Sequence, residues 1–418
     1  MTGQSDSASA GDCFRLSFEG LSEALLQTGS PVVLRLFSRH FSLWPFSEVS
    51  AAEKGQVFLT LEETGAGFHS IFSNGRRVDF ATAAEMLCDT GIDLAEAFIQ
   101  SKNGIQCLHC AAVSMKGHLV VFPNVNRAGK SLLAASLLLH GGRVFADDLL
   151  GVTPEGMGMS FGLPPRLRLP LPPSSVRLAH ELSIRPGLSD RHYHFLYAKK
   201  DEVAAFGEQL PIGAIVMPHR IPGGEPCLCR LTPSAALTCM AYQFQMEEGQ
   251  AEEVFALASR LCHRLPLWVL NYDSPEEAAA YLMKECESLF CQSPLPGEAP
   301  ALKDAAFLAE SDRVRYSKNK RYSFPRSASV RWRQATGVGI HEEGSSVYLI
   351  PSKGNDIFYL DGIGPAVWAL LASPLSAQEA ASMLAEVFPE KGRGRIEVDM
   401  MHFFQTLFEL DLLERCTD

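Results

Sequence analysis

The segment Gly117–Val152, GHLVVFPNVNRAGKSLLAASLLLHGGRVFADDLLGV, decides how this chain is expected to fold. It reads as an apolar strand, a short loop ending in Gly129-Lys130-Ser131, an amphipathic helix, and a second strand ending in Asp147-Asp148. That order gathers a lysine, a hydroxyl and two carboxylates around one phosphate-sized space. A nucleoside triphosphate (ATP) with Mg²⁺ suits such a space best.

The eight loop positions are Asn124, Val125, Asn126, Arg127, Ala128, Gly129, Lys130 and Ser131, a G-x-x-x-x-G-K-[ST] pattern with Asn124 in place of the first glycine. Such a loop holds phosphate through inward-pointing backbone N–H groups, the partial positive charge of a helix N-terminus and the full charge of the lysine. The hydroxyl that follows the lysine is a Mg²⁺ ligand. Asn tolerates positive φ better than most residues, so the replacement is compatible with the turn. Arg127 either contacts phosphate or points to solvent.

Asp147 and Asp148 close a strand beginning near Val144, expected beside the loop strand in a parallel arrangement. One carboxylate can hold Mg²⁺ while the other takes a proton from an attacking hydroxyl. The competing reading of an Asp-Asp pair is a helix cap or turn. The metal-ligating candidates are therefore Ser131, Asp147 and Asp148. His109, just before Ala111-Ala112-Val113, reads as a core histidine on its own and as a functional one only in this company.

The whole chain bounds the function. Its 418 residues exceed one ordinary core, so two or three domains are expected. A net charge of −11 disfavours a nucleic-acid partner and is compatible with a small-molecule or peptide substrate. The 11 cysteines have no secreted-scaffold spacing; Cys107/Cys110 and Cys227/Cys229 lack the second C-x-x-C of a zinc site and read as free thiols. The polar N-terminus, Met1 to Cys13, carries no secretory pattern, and the apolar run Leu132–Leu139 is far short of a membrane span. A cytoplasmic protein is expected.

Along the chain, residues 1–104 read as an α/β lead-in with strands at Val32–Leu36, Val57–Leu61 and Phe68–Ile71, then helix over 81–100, with Gly91 as a point where that helix divides. Residues 105–291 form the nucleotide-binding domain, with buried strands at Ile212–Met217 and Leu267–Leu270, a helix over 252–264, and a helix start at Ser274-Pro275-Glu276-Glu277. The Pro/Gly-rich QSPLPGEAP at 292–300 marks a domain boundary and opens a linker over 292–325. Residues 313–333 carry eight Lys and Arg interleaved with aromatics, either a basic docking strip or a solvated linker entering a strand. Beyond it, 326–418 reads as a hairpin, Val347–Ile350 and Ile357–Leu360, followed by helices near 362–371, 376–387 and 396–411. Ser376 and Glu379 form a capping box, and Val398, Met401, Phe404 and Phe408 form an apolar stripe on the last helix.

The run Leu108-His109-Cys110-Ala111-Ala112-Val113, the Gly129-Lys130-Ser131 loop and Ala146-Asp147-Asp148 together resemble HPr kinase/phosphorylase and its relatives, among them the peptide-serine kinases of lasso-peptide clusters. Weaker similarity continues through residues 211 to 285. The resemblance implies an α/β phosphate-loop kinase core of the HPr kinase/phosphoenolpyruvate carboxykinase type. Lys130 would hold the β- and γ-phosphates and Ser131 the Mg²⁺, with Asp147 the general base, Asp148 assisting metal or geometry, and His109 beside the base. The family usually has glycine where this chain has Asn124 and Arg127. Its substrate-side arginine has no matched position, and Arg166 and Arg168 are the candidates.

The C-terminal hundred or so residues resemble the PqqD peptide-chaperone family, a small α+β domain of winged-helix-like build. Val347–Leu371 is similar to its hairpin and first helix, and Ile396–Leu413 to its last helix. In that family the leader of a ribosomally made precursor adds as a strand to the sheet edge and packs on the last helix. Val347, Tyr348, Leu349, Phe404 and Phe408 are the peptide-contacting residues implied. A generic winged-helix domain is the competing reading, and no basic recognition helix supports DNA binding.

These readings combine into an ATP- and Mg²⁺-dependent serine kinase whose C-terminal domain tethers its substrate, a precursor peptide or small carrier protein, alongside other peptide-maturation enzymes. The alternatives are a non-catalytic peptide-binding adaptor with a degenerate loop, and phosphoryl transfer to a small molecule. Neither a nucleic acid nor a membrane is expected as partner, and a homo-oligomer is left open.

Overall fold

In the computed structural model, which describes residues 14–21, 24–49, 56–102, 104–123, 129–197, 199–246, 249–291, 329–353 and 356–416, the chain is of mixed α/β type. It opens with β1 (Phe14–Phe18), β2 (Ala24–Thr28), α1 (Pro31–His40), β3 (Phe46–Val49), β4 (Gln56–Thr64), β5 (Gly67–Phe72), β6 (Arg77–Phe80) and α2 (Ala83–Ser101). The six strands form one sheet in the order β3-β1-β2-β4-β5-β6.

Two local expectations fail here. The Val32–Leu36 run lies in helix α1, not in a strand. Ser30 caps it by accepting the Val33 N–H at 3.2 Å, Pro31 occupies the first turn, and Val33 and Phe37 bury one face. Cap and tertiary packing override the β-branched preference. Gly91 does not divide α2, which runs unbroken from the Thr82–Glu85 capping box. A Cβ at Gly91 would lie 3.1 Å from Leu163, so the glycine permits close packing rather than a break.

The central sheet is built from β7 (Gln106–Met115), β8 (His118–Pro123), α3 (Lys130–Leu139), β9 (Arg143–Ala146), β10 (Leu149–Val152) and β11 (Met157–Ser160). A small three-stranded sheet follows, from β12 (Arg166–Arg168), β13 (Gly187–Ser189) and β14 (Tyr193–Leu196), with α4 (Val176–Ile184) between the first two. The chain then returns to the central sheet as β15 (Gln209–Arg220) and β16 (Cys227–Arg230). It makes an excursion through α5 (Pro233–Ala241), β17 (Phe244–Gln245) and α6 (Ala251–Arg264) before β18 (Leu267–Tyr272), α7 (Pro275–Lys284) and α8 (Cys286–Leu289).

The central order is β11-β10-β7-β8-β15-β18-β16, with β9 also on β7, and β11 pairs β15 so that the sheet closes on itself. The 212–217 strand is longer than its flanking prolines suggest: β15 passes through Pro211 and Pro218. Helix α3 is buried from Leu133 to Leu138 among β7, β8, β15 and α7. The helix is therefore apolar on all sides rather than amphipathic, the expectation from its sequence, and a helix of that kind is buried. Trp268 is wholly buried, and its indole N–H donates to the Leu289 carbonyl at 3.0 Å. The lead-in shares a core with this sheet, as Phe37, Phe41, Met86 and Leu94 cluster with Cys107, Leu149 and Phe161.

The C-terminal segment comprises β19 (Arg331–Gln334), β20 (Gly339–Glu343), β21 (Ser346–Ile350), β22 (Phe358–Leu360), α9 (Gly364–Leu370), β23 (Leu375–Ser376), α10 (Ala377–Val387), α11 (Arg393–Glu409) and β24 (Leu413–Arg415). Its strands make two three-stranded sheets, β20-β21-β22 and β23-β19-β24. The Ser376–Glu379 capping box is present at the start of α10. The buried stripe of α11 is Ile396, Met400, Phe404 and Leu407, so Val398 lies outside it and is exposed.

The described residues divide into two compact units. Met1–Arg230 with Leu265–Ala301 form one, and Leu231–Arg264 with Leu302–Asp418 the other. This differs from the expected segmentation: the lead-in belongs with the central sheet, and α5 and α6 leave it for the C-terminal unit. Contacts remote in sequence cause that reassignment. The Thr238 and Tyr348 hydroxyls lie 2.8 Å apart, His341 meets Glu252 at 2.7 Å, and the Phe255 ring packs on both Tyr348 and His341. The 292–300 boundary and residues 313–328 of the basic strip lie outside the described residues. At its described end, Arg331 pairs with Glu379 and Arg333 with Glu414, while Trp332 is core. No helix among the described residues is long and apolar enough to cross a membrane.

Candidate functional site

Gly129, at φ +80°, turns the chain into α3, and a Cβ there would meet the Tyr272 hydroxyl at 3.3 Å. A side chain at this position would be both strained and crowded. Lys130 and Ser131 begin the helix, so the lysine and hydroxyl stand at its positive end. Asn124, Val125, Asn126, Arg127 and Ala128 lie outside the described residues. Burial pulls the Lys130 ammonium below its usual pKa, against the opposing fields of Cys110, Asp148 and Asp147.

The carboxylate pair sits in a break between β9 and β10, both of which run antiparallel to β7. β9 therefore runs parallel to the loop strand β8, as expected, but is not beside it: β7 stands between them, and the parallel neighbour of β8 is β15. In a regular strand, adjacent side chains point to opposite faces. The chain bends at Asp147-Asp148 instead, and both carboxylates reach Arg166. The Arg166 backbone N–H donates to Asp147 Oδ2 at 2.7 Å, and its guanidinium to Asp148 Oδ2 at 3.0 Å.

The two aspartates have unlike surroundings. Asp147 is buried, accepts a hydrogen bond from the Ser131 side chain, and has no hydrogen-bond partner for Oδ1 among the described residues. Burial pushes its pKa up to about 6, partly offset by the Arg166 N–H and Ser131 bonds. Asp148 is about one-third exposed at 32% and meets His109 Nε2 at 2.6 Å. Burial alone would raise it, but the His109 hydrogen bond and the Arg166 charge outweigh that and hold it below the usual carboxylate value.

The structure thus brings together His109, Ser131, Asp147 and Asp148, with Lys130 in their field. It also corrects one pairing, because His109 bonds Asp148 rather than Asp147. Of the two arginine candidates, Arg166 is at the site and Arg168 is exposed on β12. Arg166 lies 18 residues beyond Asp148, and only the three-stranded sheet turns it back, with its guanidinium 4.9 Å from the Tyr193 ring centroid. No local pattern marked it out.

The implied peptide-contacting residues lie mostly inside the C-terminal unit. Val347, Tyr348 and Leu349 belong to β21, the central strand of its sheet, with both neighbours taken by β20 and β22. A strand cannot be added there, because both edges of β21 already carry their hydrogen bonds. Phe404 is wholly buried, and Phe408 packs on Trp332 with centroids 5.0 Å apart. Searches of protein-family models and of curated proteins return no match to this chain.

Proposed function

We propose that the first unit is an ATP- and Mg²⁺-dependent phosphotransferase of the HPr kinase type, acting on a Ser or Thr hydroxyl of a ribosomally made precursor peptide. In the same reading, residues 329–416 form a PqqD-like domain that holds the leader of that peptide. One observation carries the catalytic half: a buried carboxylate oxygen without a partner, beside Ser131 at the start of α3, next to a second carboxylate fixed by His109 and Arg166.

The residues present fit Mg²⁺. No group of three or more His, Cys, Asp or Glu placed to hold a metal occurs among the described residues. At nucleotide sites, however, Mg²⁺ takes only one or two carboxylates and fills its other positions with phosphate oxygens and water. Asp147 and Ser131 would hold it, and it would supply charge neutralisation at the transferring phosphate. Asp148 is ionised and reachable, which suits it to receive the acceptor hydroxyl proton, so the base role falls to it rather than to Asp147. His109 and Arg166 fix its orientation. Lys130 adds positive charge where phosphate oxygens would gather.

For the C-terminal domain, the places left for an added peptide strand are the outer edges of β20 and β22, not β21. The deciding experiment measures ATP·Mg²⁺ binding by calorimetry on the full chain and on Lys130→Ala, with precursor-peptide binding in parallel. Mg²⁺-dependent ATP binding that the substitution abolishes is expected. Peptide binding without any ATP binding in the wild type would leave the adaptor as the correct reading.

A further inference from the structure

The end strand of the central sheet, β16, carries Cys227 and Cys229 two residues apart, so both thiols stand on one face and Leu228 on the other. Leu228 packs against the core of the sheet. On the cysteine face, β18 supplies Asn271 opposite Cys227, and β15 supplies His219 opposite Asn271. Three neighbouring strands thus place His219, Asn271, Cys227 and Cys229 in one group.

The Asn271 amide ties that group together. Its Nδ2 donates to Cys229 Sγ at 3.5 Å and to Cys227 Sγ at 3.8 Å, and its Oδ1 accepts from His219 Nδ1 at 2.9 Å. The histidine bond fixes which end of the amide faces the sulfurs. The two thiols are also hydrogen-bonded to each other. They differ in access, because Cys227 is exposed and Cys229 is buried. Burial raises the Cys229 pKa and the adjacent Cys227 sulfur adds to that, so Cys229 keeps its proton while Cys227 faces water.

Such a pair suits two-electron oxidation better than metal binding. A structural zinc site needs four ligands, and among the described residues no group of three or more His, Cys, Asp or Glu is placed to hold a metal. Two residues of extended strand span roughly 6.6–6.8 Å between Cα atoms. That is the upper end of the roughly 4.4–6.8 Å that a disulfide bridges, and a bond closed there is strained and easily reduced again. Among the described residues β16 has a ladder on one side only, to β18, which lets the backbone around Leu228 adjust.

We propose that Cys227 and Cys229 form a peroxide-reactive dithiol site that closes to a disulfide and is reopened by a small thiol. The Cys227 thiolate attacks one peroxide oxygen. The O–O bond breaks, a sulfenic acid forms on Cys227, and the second oxygen takes up a proton and leaves as water. The Cys229 sulfur then attacks the Cys227 sulfur. The S–O bond breaks, the S–S bond forms, and the hydroxyl leaves as water with the Cys229 proton. Two thiols and one hydrogen peroxide give one disulfide and two waters. Two molecules of a thiol such as glutathione reverse the change and become a disulfide themselves. The site stands independently of the phosphotransferase reading.

Trypsin releases both cysteines in one peptide, Ile221–Arg230, that contains no other cysteine. The full-length protein is reduced, exposed to a small excess of hydrogen peroxide, blocked with N-ethylmaleimide and digested, and that peptide is followed by mass spectrometry. A form lighter by two hydrogens and free of maleimide is expected, appearing at least about 10-fold faster than oxidation of the exposed Cys291 and lost on treatment with millimolar glutathione. Cys229→Ser should stop the reaction at a Cys227 sulfenic acid that dimedone traps. Asn271→Ala should slow loss of the Cys227 thiol about 3- to 10-fold, through loss of the hydrogen bonds to sulfur. Oxidation of Cys227 no faster than that of Cys291, maleimide on both thiols after peroxide, or a disulfide that glutathione leaves intact overturns the proposal. A Cys227 that bridges to a cysteine other than Cys229 overturns it as well.

Discussion

Replacing Asp147 by Asn isolates the electrostatic strain at the centre of the site. Burial holds the Asp147 pKa at about 6 in the folded protein, against 3.8 for the unperturbed group. Between those values the native state binds the extra proton and the unfolded state does not, so stability falls as pH rises through that window and is flat above it. A rise from 3.8 to about 6 amounts to about 3 kcal/mol over the whole titration. The amide of the Asp147→Asn variant has no such titration. It also disturbs the bonds from Ser131 and the Arg166 N–H, at a pH-independent cost of about 1–3 kcal/mol.

The test is therefore the slope, not the offset. Urea unfolding of both proteins from pH 4 to 7.5, read in the β7 peptide Gln106–Met115 by pulsed hydrogen exchange at one labelling pH, gives the difference directly. The variant should gain on the wild type by about 2 kcal/mol between pH 4 and 7, the part of that difference that lies above pH 4. Asp93, raised to about 7 chiefly by burial, titrates in both proteins and cancels from the difference. A difference that stays constant across the range, or a wild type that gains on the variant with pH, would refute the assignment of Asp147 as a carboxylate whose ionisation burial opposes.

Three further outcomes are expected. Asp148→Asn should lower peptide phosphorylation about 10²–10⁴-fold while leaving ATP·Mg²⁺ affinity within a few-fold, measured by radiolabel transfer and calorimetry; unimpaired transfer would remove Asp148 from the base role. Gly142→Ala should destabilise the first unit by about 1–3 kcal/mol in urea, because its Cβ would lie 2.7 Å from Val113 Cγ1 and 3.0 Å from the Leu137 carbonyl oxygen. In the second unit, Phe404→Ala should cost about 3–5 kcal/mol, against about 1 kcal/mol for Ser376→Ala, which removes one half of a capping box. Hydrogen exchange of the α11 peptide compares the two.

Much of the site was legible because its parts are local. A glycine, lysine and hydroxyl at a helix start, and two carboxylates at a strand end, are patterns of adjacent residues. The capping boxes at Thr82 and Ser376 span only four residues each. What failed was decided by distant neighbours. Val32–Leu36 has a strand's composition, but Ser30 caps a helix and Phe37 finds a core beneath it. Val347–Leu349 has the apolar character of a binding edge, yet β20 and β22 take both its sides.

The sequence by itself determined the strand–loop–helix–strand frame, the free thiols, and the identities of Lys130, Ser131, Asp147, Asp148 and His109, since each follows from residues close in the chain. Only the tertiary structure decided which aspartate is buried and which one His109 and Arg166 hold. It alone brought Cys88 and Ile92 of the lead-in beside Asp147, Asp148 and Arg166. Burial and charge pairing depend on what surrounds a group in space, and here Arg166 and His109 reach Asp148 from 18 and 39 residues away in the chain, while Arg166 also meets Cys88 across 78.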